Sequence, residues 1–245
     1  GEAIKLNPKW EQPRLLMADI HFREKNSSEA INQINVILKD NPVNIQAHIL
    51  LGNVYLSKRD LPGAAREYDA AINYAPGNPA GYIQSSKVLL YQKNEKAALE
   101  RLEKALSLKP DNADALQLIA SVYLSRKDTD KAIERVQQQI KVVPQNPVFH
   151  SMLGLLYETK KDLPAAESYM KKAIELNPNL PSLQILLGGF YMRQHLTDKA
   201  KKQYLASVDK EPKALPALMA LGLIYENEKN FSKAQEYYEK ALKIN

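Results

Sequence analysis

The fold of this chain is decided by a stretch at residues 45–78, which reads IQAHILLGNVYLSKRDLPGAAREYDAAINYAPGN. Apolar residues recur at steps of three and four in residues 45–56 and again in residues 64–72, which is the spacing of two amphipathic helices. Pro62 stands where the second helix would begin, because proline fits the first turn of a helix. The stretch therefore predicts a helix, a short turn, a second helix and a second turn.

The same pattern returns every 34 residues along the chain. One set of positions shares a proline: Pro8, Pro42, Pro76, Pro110, Pro144, Pro178 and Pro212. A second set shares an alanine: Ala30, Ala64, Ala98, Ala132, Ala166, Ala200 and Ala234. A third set holds small residues: Gly52, Gly154, Gly188 and Gly222, with Ala18, Ser86 and Ala120 in the other places. A fixed period of this size indicates an array of structural repeats.

The period also predicts the domain organisation. We expect seven units that form one solenoid domain, at 11–44, 45–78, 79–112, 113–146, 147–180, 181–214 and 215–245. Residues 1–10 align with the ends of later repeats and are interpreted as the tail of a truncated preceding repeat. Since both ends are in phase with the repeat, we expect the chain to be a fragment of a longer array.

Composition narrows the classes of partner. The net charge of +6 is spread over the repeats, whereas nucleic-acid binding usually needs a concentrated basic stripe, so no nucleic-acid partner is expected. The chain has no cysteine, which excludes disulfides and thiolate metal sites but does not choose between bacterial cytoplasm and periplasm. No apolar run approaches the roughly 20 residues of a transmembrane helix, so no membrane insertion is expected.

The side chains that could act in catalysis or bind a metal are not spaced as a catalytic or metal site requires. His48 and His150 share a repeat position but lie three units apart, too far to bind one metal ion. Gly188 and Gly189 belong to a predicted helix and follow no strand, so they are not a phosphate loop. No nucleophile has a base at a suitable spacing. We therefore expect no catalytic residue, no cofactor and no metal, and hence no enzyme activity.

The residues of the repeat resemble the tetratricopeptide repeat family. The core of the family pattern is carried by Leu51-Gly52-x-x-Tyr55, Leu153-Gly154-x-x-Tyr157, Leu187-Gly188-x-x-Tyr191 and Leu221-Gly222-x-x-Tyr225. The resemblance implies an all-α, right-handed superhelical solenoid of helix–turn–helix repeats. It also implies protein binding without chemistry, with a peptide or partner segment in a concave groove that the first helices line. The regular, lysine-rich style of the repeats resembles bacterial scaffold proteins.

One face of the first helices is expected to line this groove, because side chains at i, i+4 and i+7 share a face. The predicted groove is polar in its first half, with Asn53, Gln84, Lys87, Gln117 and Ser121, and with Tyr91 beside them. It is more apolar in its second half, with Leu155, Met192 and Leu223. Such a groove favours an amphipathic or extended peptide. The carboxylate clamp of chaperone-binding family members is not expected, since only Asn53 occupies one of its places.

Three functions are compatible with the sequence. The first is a protein–protein interaction scaffold, part of a bacterial multiprotein assembly or export system. The second is a non-catalytic regulatory or targeting arm of a larger enzyme, such as a glycosyltransferase. The third is a self-associating structural module, because the last residues, KALKIN at 240–245, leave an uncapped apolar helix face that favours contact between chains.

Overall fold

The computed structural model describes residues 10–244, which contain fourteen α-helices and no strand. The helices are α1 (Glu11–Arg23), α2 (Ser27–Asp40), α3 (Ile45–Ser57), α4 (Leu61–Tyr74), α5 (Pro79–Tyr91), α6 (Glu95–Leu108), α7 (Ala113–Ser125), α8 (Thr129–Val142), α9 (Pro147–Thr159), α10 (Leu163–Leu176), α11 (Pro181–Arg193), α12 (Thr197–Lys210), α13 (Leu215–Asn227) and α14 (Phe231–Leu242). The all-α repeat fold expected from the sequence is confirmed. The predicted tail at 1–10 lies outside the described residues, apart from Trp10.

The chain divides into two compact units, Gly1–Val122 and Tyr123–Asn245, with the boundary inside α7. In the first unit, α1 packs with α2, α3 with α4, and α5 with α6, while α2 contacts α3 and α4 contacts α5. In the second unit, α8 contacts α9, and the hairpins α9–α10, α11–α12 and α13–α14 pack in sequence. Within each unit, successive hairpins thus contact one another along the chain, as in a repeat array.

Asparagine and aspartate caps start most of the helices. Their side chains accept a hydrogen bond from a backbone N–H two or three residues further on, and these capping residues are Asn26, Asn44, Asp60, Asn78, Asn94, Asn112, Asp128, Asn146, Asp162 and Asn230. A proline occupies the first turn of α4, α5, α9, α10, α11 and α13. Local sequence therefore fixes where the helices begin, because a cap satisfies an N–H that would otherwise lack a partner.

The turn inside each hairpin contains a left-handed residue that is not glycine. These residues have φ between 59° and 67°, and they are Lys25, Arg59, Lys93, Lys127, Lys161, His195 and Lys229. In one such turn, Lys93 N–H donates to the Leu90 carbonyl at 3.0 Å and Asn94 N–H donates to the Leu89 carbonyl at 2.8 Å. This pair of bonds closes a helix C-terminus. A left-handed conformation costs a residue with a side chain about 1–2 kcal/mol, and a cation at a helix C-terminus offsets part of that cost.

The glycines of the third marker set each face a large side chain of the second helix. The pairs are Gly52 with Tyr68, Gly154 with Met170, Gly188 with Tyr204, and Gly222 with Tyr238. A Cβ atom at these glycines would lie 2.4, 2.5, 2.8 and 2.4 Å, respectively, from the partner side chain. The small residues therefore make room for a large side chain of the second helix. By contrast, a Cβ on Gly189 would meet nothing closer than Arg193 Nη1 at 3.3 Å.

Where the first helix carries alanine or serine, the second helix carries an aliphatic residue, smaller than tyrosine, at the same repeat position. Ala18 goes with Ile34, Ser86 with Leu102, and Ala120 with Val136. All six of these residues are buried. A larger residue on the first helix thus goes with a smaller one than tyrosine on the second, as expected where two helices pack closely.

The carbonyl groups of four prolines at repeat boundaries are hydrogen-bonded to side chains six residues further on. The bonds join His48 Nε2 to Pro42 O (2.9 Å), Tyr82 Oη to Pro76 O (3.1 Å), His150 Nε2 to Pro144 O (2.9 Å) and Gln184 Nε2 to Pro178 O (3.1 Å). His48 Nδ1 also lies 2.9 Å from Glu67 Oε2, a pairing that the sequence pattern did not indicate. The two buried histidines therefore satisfy backbone carbonyls at the linkers.

Candidate functional site: a groove on the first helices of the first unit

Two adjoining cavities open on the first unit. One has a volume of about 380 Å³ and is lined by Phe22, Asn53, Leu56, Ser57, Gln84, Lys87 and Tyr91. The other has a volume of about 480 Å³ and is lined by Leu56, Ser57, Arg59, Leu61 and Tyr91. Because the cavities share Leu56, Ser57 and Tyr91, we treat them as one surface, the α1–α3–α5 groove, defined by these nine residues.

Asn53 is held in place by a buried tyrosine. The Tyr68 hydroxyl donates a hydrogen bond of 2.7 Å to Asn53 Oδ1. The Tyr68 ring is completely buried against Gly52, and this burial raises the pKa of the phenol well above its usual range. The absence of a side chain on Gly52 thus admits the ring that orients the next residue. With its carbonyl oxygen engaged, Asn53 keeps its amide N–H groups as donors for a ligand.

The apolar part of the groove rests on the core. Leu56 and Leu61 are half-buried and pack against the cluster of Ala64, Tyr68 and Val88. Tyr91, at the end of α5, is 70% exposed. The groove therefore combines a fixed aliphatic wall with a large aromatic side chain that still has most of its surface to bury against a ligand.

The charge of the groove is positive. Lys87 is half-buried, Arg59 is exposed, and neither forms an ion pair with any residue between 10 and 244. No Asp or Glu lines either cavity. Asp19, which precedes Asn53 by one repeat, pairs with Arg23 Nη2 at 2.7 Å. Asp60, next to Arg59, accepts the helix-capping bond from Gly63 N at 2.9 Å. The neighbouring carboxylates are thus engaged elsewhere.

The groove gathers only part of the polar set expected from the sequence. Asn53, Gln84, Lys87 and Tyr91 line it, whereas Gln117 and Ser121 are exposed on α7 and line neither cavity. The Ser121 hydroxyl instead donates to the Leu118 carbonyl of its own helix at 2.7 Å.

Leu56 shares the predicted helix face with Asn53, and four further residues of the groove were not expected. They are Phe22, Ser57, Arg59 and Leu61. Phe22 could have been found, because it precedes the groove residue Leu56 by one period. Arg59 could not have been predicted, because the direction of its side chain depends on a left-handed turn that contains no glycine.

The apolar residues expected in the second half of the groove lie on the second unit. Leu155 and Leu223 are exposed, at 39% and 49%, and Met192 is half-buried and packs against the core cluster of this unit. Beside them, Arg193 binds Glu158 through two hydrogen bonds of 2.7 and 2.9 Å, which raise the pKa of Arg193. The charges of Arg193 and Glu158 are therefore paired with each other.

Among residues 10–244, no group of three His, Asp or Glu side chains could hold a metal ion. No helix in the same range is long and apolar enough to cross a membrane.

The buried phenol of Tyr68 can be tested by spectrophotometric titration. At a pH of about 11, an ordinary tyrosine with a pKa near 10 is mostly ionised, but Tyr68 should remain protonated because burial disfavours its charged form. The folded protein and the Tyr68→Phe variant should therefore show the same phenolate absorbance. In concentrated urea they should differ by one phenolate. A difference of one phenolate between the folded proteins would contradict the packing around Asn53.

Comparison with family models agrees with the repeat pattern. A model described as the cytochrome c-type biogenesis protein H TPR domain matches residues 34–149, and two tetratricopeptide repeat models match residues 149–180 and 216–245. The chain belongs to the tetratricopeptide repeat family. The resemblance inferred from the sequence is confirmed, and this fold is typically non-catalytic. A comparison with curated protein sequences finds no match.

Solved structures share the fold at low sequence identity. Yeast Tom70 superposes with a TM-score of 0.81 at 15% identity over 100% of this chain, which spans 53% of the Tom70 chain, about half its length. PilF of Pseudomonas aeruginosa gives 0.54 at 20% identity, covering 79% of this chain and 88% of PilF. The C-terminal part of a repeat protein from Cytophaga hutchinsonii gives 0.54 at 18% identity, covering 94% and 95%. These similarities show the tetratricopeptide fold.

Proposed function

We propose that the chain is a protein–protein interaction scaffold that binds a peptide or a partner segment in the α1–α3–α5 groove. The main support is the convergence of Asn53, Gln84, Lys87 and Tyr91 on two adjoining cavities. Side-chain amides can bond a ligand backbone, while the apolar wall accepts its side chains. A groove built on packed helices loses little conformational entropy when it binds, which lowers one of the costs of binding.

A role inside a multiprotein assembly is the context we favour. The matched family model is named for a cytochrome c-type biogenesis protein, and a bacterial assembly or export system would agree with such a relative. The alternative, a regulatory or targeting arm of a larger enzyme, would use the same groove and differ only in what is attached to the chain. The full-length gene product distinguishes the two, because only the second requires a catalytic domain.

Blocking the groove should abolish binding. Ser57 lines both cavities, so Ser57→Trp should fill them, whereas Ser125→Trp places the same side chain at the equivalent exposed position of α7, outside the groove. Peptides selected by phage display on the intact protein should bind the Ser57→Trp variant at least roughly tenfold more weakly, as expected when a central contact is lost. Fluorescence anisotropy gives the affinities, and circular dichroism checks the helix content.

The Ser125→Trp control should bind within about twofold of the wild type, because surface positions away from a hot spot contribute little. Equal affinity of the wild type and the Ser57→Trp variant would contradict the proposed site. Failure of every selected peptide to bind in solution would contradict peptide recognition itself.

We propose self-association as a second candidate function, because the last hairpin exposes an apolar surface. A cavity of about 420 Å³ is lined by Leu215, Met219, Tyr238, Ala241 and Leu242, and Leu242 is 73% exposed. The earlier Val208 holds the same repeat position as Leu242 but packs against the core of its unit. A second copy could cover this surface with α1, on which Ile20 is 44% exposed although its equivalents Val54 and Val88 are buried.

Light scattering at increasing concentration tests this second candidate. The wild type should show a mass that rises with concentration, and Leu242→Glu should remain a monomer, because a charge would be buried in an apolar contact. Val142→Glu is the matched control, since Val142 is also exposed but lies on α8, and it should associate like the wild type. A wild type that stays monomeric throughout would rule out self-association through this surface.

A further inference from the structure

We propose that the α1–α3–α5 groove selects segments in which an acidic side chain lies beside a large apolar one. This inference rests on the proposed function and adds the chemistry of the ligand.

The first support is the pair of cations without partners. Some cations between residues 10 and 244 lie against a carboxylate, as do Arg23, Lys131 and Lys160. Lys87 and Arg59 form no ion pair there, and they are the two cations that line the cavities, so both are available to an acidic ligand. Lys87 is also half-buried, and a charge pair formed in a partly enclosed groove is less screened by water than one on the open surface.

The second support is the absence of competing negative charge. Neither cavity is lined by a carboxylate, and the nearby Asp19 and Asp60 are engaged with Arg23 and with the backbone of α4. An acidic ligand would therefore meet attraction from both cations. A basic ligand would meet two like charges, and this repulsion provides discrimination.

The third support is the position of the apolar surface between the two cations. Leu56 and Tyr91 line both cavities, whereas Lys87 lines only the first and Arg59 only the second. A large apolar side chain that buries against Leu56 and Tyr91 would thus have a cation available on either side. The amides of Asn53 and Gln84 remain to bond the ligand backbone, which makes the contact independent of the ligand's other side chains.

Selection from a random peptide library tests the ligand chemistry directly, because the library offers acidic, basic, polar and apolar side chains in competition. Phage displaying random peptides of about 12 residues are selected on the intact wild-type chain, on Lys87→Glu/Arg59→Glu and on Lys96→Glu/Lys104→Glu. The third protein is the charge-matched control, because Lys96 and Lys104 are exposed on α6 and line neither cavity. Selected peptides are then synthesised and their affinities measured at low and high salt.

The wild type and the control should enrich peptides with an Asp or Glu near an aromatic or aliphatic residue, and the groove variant should lose or reverse this preference. A selected peptide should bind the groove variant roughly tenfold more weakly, and the control within about twofold, as expected when two close charges are reversed. High salt should weaken wild-type binding but not the groove variant's residual binding, because salt screens the attraction in the first case and the repulsion in the second.

Two results would overturn the proposal in different ways. Peptides that show no excess of acids, yet are still blocked by Ser57→Trp, would contradict the acidic preference and leave the groove as the binding site. Peptides that Ser57→Trp does not block would contradict the groove itself, and the proposed function with it. Displacement of the peptides by a single-stranded oligonucleotide at low concentration would also overturn the proposal, because the site would then recognise a nucleic acid.

Discussion

The contact between a glycine on the first helix and a large side chain on the second is the constraint on which four of the hairpins depend. In four hairpins, a single added Cβ atom would lie within 2.8 Å of the partner side chain. The glycine costs about 1 kcal/mol of helix propensity relative to alanine, and the tyrosine or methionine offsets this cost by filling the space. Hairpins with alanine or serine carry an aliphatic residue, smaller than tyrosine, at the partner position.

The same contact prepares the candidate site. Tyr68 enters the space beside Gly52, and its hydroxyl then bonds Asn53. Packing inside one hairpin therefore fixes a polar donor on the face that lines the groove. Lys87 and Tyr91 come from α5 at the next repeat, so the regular spacing of repeats sets the distance between the proposed ligand contacts. A mutation in the core of a hairpin should consequently change ligand binding as well as stability, although it touches no ligand.

The sequence period predicted the repeat fold and the glycine positions, because each depends on residues within one repeat. It predicted the face that carries Asn53 and Lys87 but not which members of that face form a cavity. Ser121 holds the same repeat position as both residues and stays outside. The side chain of Arg59 could not be placed either, because a left-handed turn at a non-glycine residue leaves no mark in hydrophobic periodicity. Local patterns thus specify helices, and the depth of a groove emerges only from packing.

A double-mutant cycle at Gly188 and Tyr204 tests the size complementarity most directly. Gly188→Ala should destabilise the protein by overpacking and Tyr204→Leu by leaving a cavity, while the double variant creates an alanine–leucine pair that is close in size to Ser86 with Leu102. Chemical denaturation should show the double variant to be more stable than the sum of the single changes by about 1 kcal/mol or more. Gly77→Ala, at a glycine where an added Cβ would meet nothing within 4 Å, should be additive with the same tyrosine change. Additivity at Gly188 to within about 0.5 kcal/mol would contradict the contact as the basis of the fold.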